Sequence, residues 1–261
     1  MKILVPVKQV SILDDEFEMR DDGRGVDEDF FEKDLNEFDH FAVEEALLIE
    51  ETAGEGAEVI VVTVGDDQAD DVLRTALAKG AERGIRVWHD SLADADSIAI
   101  AKVLAKVVER EAPNMVFTGA QSTDFGHATT GMALAGLLGW PHAAVVSKLD
   151  FMPGAGPATL HRELEGGLEE IMTIQCPAVL SIQLGINQPR YASLRGIRQA
   201  KQKPVEELDL DALGLGDGDV ASASRVRRMY APEKGQAEII EGSAAEQAAR
   251  LAEIIKELRG I

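Results

Sequence analysis

The stretch Val59–Trp88, VIVVTVGDDQADDVLRTALAKGAERGIRVW, decides the fold. Its first six residues are an unbroken apolar, largely β-branched run that stops at Gly65, the pattern of a strand buried on both faces of a parallel sheet. Gln68 to Ala81 then reads as a helix, and Ile85 to Trp88 as a second short strand. The same alternation extends in both directions. Upstream, Ile3 to Val7 is a short apolar run. An acidic stretch, Asp14 to Asp34, reads as a loop or hairpin, and Phe38 to Glu51 places Phe38, Phe41, Ala42, Ala46, Leu47 and Ile49 at helical spacing. Downstream, Asp96 to Glu111 is an amphipathic helix with Asp96 or Ser97 as its N-cap, broken by Pro113. Met115 to Thr118 is the next strand, Thr129 to Leu138 a small-residue helix, and Ala143 to Val146 a further strand. Strand and helix in alternation imply parallel βαβ units with right-handed crossovers. The expected fold is α/β: a three-layer, parallel-sheet, Rossmann-like domain, followed by a C-terminal arm and helix.

After Asp150 the pattern changes. Ala158 to Leu164 and Leu168 to Ile174 read as two strands joined across Glu165-Gly166-Gly167, a hairpin. Ala178 to Ile182 is another buried run. Glu206 to Ser224 is rich in Asp, Gly, Ala and Ser and reads as an extended linker. Ala244 to Leu258 is an amphipathic terminal helix, for which two placements stand: packed on another subunit, or folded back on its own domain.

Composition narrows the function. The chain has 261 residues, 45% of them hydrophobic, with 26 Lys and Arg against 47 Asp and Glu, a net charge of −21. That balance argues against nucleic acid and against anionic membrane surfaces as partners. One cysteine excludes a disulfide framework and a Cys-cluster metal site. No apolar run approaches the ~20 residues of a membrane span, and MKILVPVKQV reads as a strand and not as a signal peptide. These features predict a soluble protein of a reducing compartment, the cytoplasm. The charge is uneven. Residues 1–58 carry 5 basic and 19 acidic side chains, whereas residues 181–204 carry Arg190, Arg195, Arg198, Lys201 and Lys203 and no acid. Such a segment is either a solvated face or a docking site for an acidic partner.

In an open parallel sheet, ligands bind beyond the carboxyl ends of the strands. Three loops fall there: Pro6 to Ser11, Val64 to Asp67, and Gly119 onward. The third, GAQSTDFGHATTG, has three glycines and several hydroxyls and leads directly into a helix, as a phosphate cradle does; a glycine-rich turn that only caps the helix reads the same way. A GxGxxG after the first strand, a GxxxxGK[ST] loop and an SGGxDS loop are all missing, and the glycine spacing does not match that of universal stress proteins. His40, His89, His127, His142 and His161 form no HxxxH or HExxH pair, so a zinc site is not expected. His127 is placed to contact a phosphate or to be an ordinary loop residue. Cys176 reads as core. No GxSxG elbow is present, and no catalytic residue is assigned. Tyr191 and Leu194, apolar amid positive charge, suit a docking anchor with a steering rim, or a leucine tucked against its own helix. A pyrophosphatase-like hydrolase or ligase and a nucleotide-sensing stress protein are the competing classes; neither needs an exposed leucine in a basic loop.

Four motifs carry a resemblance: KILVPVKQV at the N-terminus, NEFDHFAVEEAL at Asn36–Leu47, RELEGGLEE at Arg162–Glu170 and QPRYASLRGIRQAK at Gln188–Lys201. Along almost its whole length the chain resembles the beta subunit of electron transfer flavoproteins. GAQS at Gly119–Ser122, WPHAAVV at Trp140–Val146 and SRVRRMYAPEKG look most similar to the methylotrophic-bacterial branch, whose heterodimers accept electrons from trimethylamine dehydrogenase. The resemblance implies an electron carrier and not an enzyme. It implies a heterodimer in which a larger alpha subunit holds the redox-active FAD while the beta subunit buries a structural AMP. The AMP pocket would be lined by Pro6, by Asn36, Glu37, Phe38 and Asp39, by Val64, and by Gly119, Ala120, Gln121, Ser122, Thr123, Asp124, Phe125, Gly126, His127, Ala128, Thr129 and Thr130. Leu13 falls where some relatives place a tyrosine against the flavin and leaves at most apolar packing. Leu194 matches the anchor leucine of a recognition loop, Ser181 to Pro204, in which Tyr191, Arg190, Arg195, Arg198 and Lys201 would dock a flavin dehydrogenase as electron donor. Glu163 matches an acid that pairs with the alpha subunit. Residues 1–204 would be the nucleotide-binding domain and 205–261 an arm and helix packing on the partner subunit. Relatives that bind a second FAD in place of AMP and bifurcate electrons have a loop like AIDGDTAQ; here it reads STDFGHAT, which favours AMP.

Overall fold

The computed structural model describes residues 1–13, 17–53, 56–232, 235 and 237–260. Among them nine strands form one sheet. β1 (Lys2–Pro6) is followed by a two-stranded antiparallel arm, β2 (Gln9–Leu13) with β3 (Phe31–Leu35). Then come α1 (Glu37–Ala53), β4 (Glu58–Val64), α2 (Asp70–Lys79), β5 (Arg83–Val87), α3 (Ser97–Glu111), β6 (Met115–Gly119) and α4 (Thr130–Leu138). The remainder is β7 (His142–Asp150), β8 (Ala158–Leu164), β9 (Leu168–Ile174), β10 (Ala178–Ile182), α5 (Leu194–Ala200), β11 (Val205–Leu208) and α6 (Ala244–Arg259). The sheet order is β11-β5-β4-β1-β6-β10-β7-β8-β9. It is parallel from β11 to β7, with β8 and β9 added antiparallel as the expected hairpin.

The continuous apolar strands are explained by burial on both faces. Ile3, Val5, Val59, Val61, Met115 and Phe117 pack on one side, against α1 and α2. Leu4, Ile60, Val62, Ile85 and Val116 pack on the other, with residues of α3 and α4. This is the three-layer architecture expected. The chain runs outward from β1 through β4 to β5 and then returns to place β6 on the other side of β1. The strand order therefore reverses between β1 and β6, and the ligand crevice of such a sheet lies at the carboxyl ends of these two strands.

Three readings are corrected. The stretch from Glu206 is not a linker throughout: β11 pairs in parallel with β5, and Leu210, Leu213, Leu215 and Val220 are buried in the core on the α3 side. Isolated leucines between acids and glycines carry no periodic signal, yet each fills a site in that core. The loop after β1 is short, because Gln9 to Ser11 already belong to β2. Cys176 is exposed, not core. Asp14 to Glu16 of the acidic stretch, and Glu233 and Lys234 of the SRVRRMYAPEKG motif, lie outside the described residues. The terminal helix forms as expected, capped by a reciprocal Ser243–Glu246 box, and has no buried residue. Among the described residues no helix is long and apolar enough to cross a membrane, and no group of His, Cys, Asp and Glu is gathered to hold a metal ion.

Candidate functional site

The crevice between β1 and β6 is closed by hydrogen bonds that run between segments far apart in sequence. Asn36, just before α1, is 2% exposed. Its side chain donates to the Gln121 carbonyl (2.9 Å) and accepts from the Thr123 amide (3.1 Å), so a single amide group fixes the first turn of the glycine-rich loop. Asp39, in the first turn of α1, accepts from the Lys8 amide (2.7 Å) and from the Gly119 amide (3.1 Å). It thereby ties the ends of β1 and β6 together. Burial pushes the Asp39 carboxyl up to about 7, against the hydrogen bonds from Lys8, Asn36 and Gly119 that pull it down.

The close approach explains a glycine. A Cβ on Gly119 would lie 2.3 Å from Asp39 Oδ1 and 2.7 Å from Phe38 Cβ. Farther along the loop, Gly126 and Ala128 both take left-handed backbone (φ 61° and 51°). Thr129 then precedes α4 without any side-chain cap on the helix amides. Thr118 Oγ1, buried at the end of β6, has no hydrogen-bond partner. Unsatisfied helix N–H groups behind a loop of this shape suit one phosphate group.

Of the residues expected in the pocket, Asn36, Asp39, Gly119, Gln121 and Thr123 are brought together directly by these bonds. Phe38 and Asp39 are buried, so Asp39 acts from beneath, through its bonds to the Lys8 and Gly119 amides. Pro6 ends β1 opposite Val62, and Val64 ends β4 on the same side of the sheet. Glu37, Ala120, Ser122, Phe125, Gly126, Ala128, Thr129 and Thr130 are exposed or half-exposed. His127 reaches Ser97 Oγ at the start of α3 (3.4 Å), and its ring stands 5.6 Å from that of Phe125. One residue was missed. Lys8 Nζ donates to both oxygens of Asp124 (2.6 and 2.8 Å) and to Ser122 Oγ (3.3 Å), and lies 4.9 Å from the Phe125 ring centre. No local pattern marks it, because its partner is 116 positions away. Burial raises the Asp124 carboxyl, but the bonds from Lys8 and Ser122 outweigh it and hold the group below its usual range.

The basic segment divides into two kinds of cation. Arg190 is bolted to α1: its backbone amide and its Nε and Nη2 donate to Glu44 at 2.9–3.1 Å, and Nη1 donates to Glu51 at 2.6 Å. Burial raises Glu44, yet the Arg190 hydrogen bonds prevail and keep it ionised below the usual range. Lys203 Nζ donates to the carbonyls of Leu77, Gly80 and Ala81, where it satisfies the C-terminal end of α2. Asn187 adds bonds to Glu45 Oε2 (2.9 Å) and the Phe41 carbonyl (3.1 Å). A Cβ on Gly196 would lie 2.2 Å from the Ala78 carbonyl oxygen, so α5 presses against α2 where only glycine fits.

The outer face of α5 is different. Leu194 is 79% exposed, Tyr191 99% and Ile197 45%. Arg195, Arg198 and Lys201 are exposed and, among the described residues, make no ion pair. Leu194, Ile197, Arg198 and Lys201 follow helical spacing along one outward stripe. Leu194 is thus not tucked against its own helix. Elsewhere, Leu13 on the β2–β3 arm is 46% exposed. Glu163 on β8 is exposed opposite Glu169, which is itself engaged by His161 (2.8 Å).

Residues 26–213 match the electron transfer flavoprotein domain. The chain is 54% identical over 263 residues to "Electron transfer flavoprotein subunit beta" of Methylophilus methylotrophus, covering 100% of both. It is 38% identical over 251 residues to the protein so named in Bradyrhizobium diazoefficiens, covering 96% of this chain and 97% of the relative. It is also 38% identical over 246 residues to the mitochondrial beta subunit of Arabidopsis thaliana, covering 94% of this chain and 95% of that one.

Proposed function

The chain belongs to the electron transfer flavoprotein family as a beta subunit, an electron carrier and not an enzyme, and on that premise we propose a division of labour within it. The crevice between β1 and β6 buries an AMP of structural role. The chain pairs with a larger alpha subunit that holds most of the FAD, and the outer face of α5 docks a flavin dehydrogenase that delivers electrons. When bound, FAD supplies the reversible uptake and release of electrons. Every task left to this chain is one of holding and presenting.

One observation carries the docking reading: an uncovered leucine, flanked by an exposed tyrosine and three exposed cations, on a chain of net charge −21. Opposite potentials steer the encounter with an acidic dehydrogenase face, and Leu194 seats in an apolar pocket once contact is made. The AMP reading is supported by the uncapped start of α4, the left-handed residues before it and the unpartnered Thr118 hydroxyl. Glu163, exposed and without a cation among the described residues, is available to pair with the alpha subunit. Leu13 offers the flavin apolar contact only. The arm beyond about Val220, ending in the uncovered α6, packs on the alpha subunit. The donor we assign is an amine-oxidising flavin dehydrogenase such as trimethylamine dehydrogenase, from the likeness to the methylotrophic branch, and the compartment is the cytoplasm.

The test is to co-express the chain with its neighbouring alpha-type subunit, purify the complex, release the ligands with acid and quantify them. One FAD and one AMP per heterodimer is the expected result. Two FAD and no AMP would make this a bifurcating carrier and overturn the pocket reading, and failure to form a flavin-bearing complex would overturn the whole proposal.

A further inference from the structure

We propose that the Lys8–Asp124 pair sets how many phosphates the nucleotide site accepts: Asp124 cancels the ammonium at the mouth, so the site takes a nucleoside monophosphate and disfavours di- and triphosphates. The proposal rests on the nucleotide reading above. None of the residues assigned to that pocket is a lysine or arginine. The cation that reaches the loop is Lys8, and it is held by both Asp124 oxygens and by Ser122 Oγ. Asp124 is in turn anchored by the Phe125 amide (2.6 Å), and its side chain is only 12% exposed. The pair is therefore a built feature of the loop and not a chance surface contact.

Among the described residues the other charges near it are mostly negative, and the ammonium of Lys33 on β3 is engaged by Gln68 Oε1 (2.7 Å). Glu37 stands exposed at the start of α1, and Asp66 and Asp67 follow β4 at the same end of the sheet. A mouth whose one ammonium is neutralised binds phosphate through backbone N–H groups, which suffice for a single phosphate. Each further phosphate adds negative charge beside Glu37, Asp66 and Asp67, with the Lys8 ammonium already held by Asp124. Sites for longer phosphate chains use a lysine whose ammonium is free to reach them. Here that lysine is present and occupied. Asp124 acts as a specificity-determining residue by holding it.

The experiment uses the purified heterodimer, stripped of nucleotide, and measures competition among AMP, ADP and ATP for four forms: the native sequence, Asp124→Asn, Lys8→Met and the double variant. A unit charge near the surface is worth on the order of a tenfold change in affinity. Asp124→Asn frees Lys8 and is expected to raise ADP and ATP binding relative to AMP by about that factor. Lys8→Met leaves Asp124 uncompensated and is expected to weaken all three, ATP most. The double variant restores the net charge and with it the native order of preference, which a merely structural brace would not do. Should Asp124→Asn fail to assemble, Lys8→Met carries the test with the opposite sign. An unchanged AMP:ADP:ATP ratio in the single variants overturns the proposal while leaving AMP in place. A native complex that holds no AMP overturns the proposal together with the reading beneath it.

Discussion

The crevice at the end of β1 and β6 and the outward face of α5 are built on opposite plans. In the crevice the groups that matter are backbone amides and carbonyls, held by buried side chains such as Asn36 and Asp39. On α5 the groups that matter are side chains in water, and the scaffold beneath them is what is buried: Glu44 under Arg190, the α2 carbonyls around Lys203, and Ala78 against Gly196. Substitution in the first region should therefore act through stability, with function lost as a consequence. Substitution on the exposed face of the second should act on docking alone, while substitution in its footing should do both.

The largest effect tests the first half of that contrast. Gly119→Ala places a methyl against Asp39 and Phe38, and two buried neighbours have no room to give. Overpacking of this kind costs about 3 kcal/mol at the upper end of its usual range. A lower Tm of the complex, accompanied by loss of bound nucleotide, is expected; an unchanged Tm would show that the loop is less tightly closed than the distances indicate.

Next comes the footing of the docking segment. Arg190→Met leaves Glu44 buried without its partner. Breaking a fully buried pair costs 3–5 kcal/mol, and Arg190 is about a third exposed, so about 2 kcal/mol is the discounted expectation. Both thermal unfolding and dehydrogenase coupling should fall, with nucleotide content unchanged. Loss of coupling at unaltered stability would move Arg190 back among the steering cations.

Leu194→Ala separates the two regions most cleanly. At 79% exposure its removal should change stability by less than about 0.5 kcal/mol. As an interface anchor it should weaken coupling to the dehydrogenase by at least ~10-fold. The check is the rate of flavin reduction by the dehydrogenase in a heterodimer of normal flavin content, and an unaltered rate would remove Leu194 from the docking surface.

The crevice also has a pH signature. Asp39 sits at about 7 in the fold against 3.8 for a free carboxyl, with burial as the cause. Between those values the folded chain holds a proton that the unfolded chain has released, so stability falls as pH rises through this window and levels off above it. The slope from one such group approaches about 1.4 kcal/mol per pH unit in the middle of the window. Asp39→Asn removes the titration and also sets an amide donor against the Lys8 or Gly119 amide, so it should lower stability throughout while flattening the profile. A profile whose slope survives in Asp39→Asn would assign the proton elsewhere, with Glu50 beside Glu82, also raised to about 7 by burial first and then by Glu82, the next group to examine.

What could be read from the sequence follows the same divide. Strands such as Val59–Val64 and the hairpin around Glu165–Gly167 announce themselves because their cause is local: apolar runs, helical spacing, paired glycines. Leu194 stands out because an apolar residue among cations is a local oddity. The parts that were missed have distant causes. Lys8 acquires its role from Asp124, Arg190 from Glu44 across 146 positions, and β11 becomes a strand because β5 offers it an open edge. Ion pairing between remote segments leaves no periodic trace, so the basic segment read as a uniform patch when two of its five cations are internal fastenings.

The smallest effect bears on that last distinction. If Arg195, Arg198 and Lys201 act by steering, Arg198→Ala should leave Tm unchanged and slow the encounter only a few-fold at low ionic strength, since one charge of several is removed. The difference from the native complex should shrink as salt rises and vanish once the Debye length falls to about 3 Å near 1 M. Leu194→Ala should behave in the opposite sense, because an apolar anchor is not screened and its deficit persists at every salt concentration. Stopped-flow reduction of the two variants across a salt series therefore distinguishes rim from anchor within one helix turn. A salt-independent deficit in Arg198→Ala would mean that this arginine makes a specific, desolvated contact with the dehydrogenase, and the stripe along α5 would then be an interface core and not a steering rim.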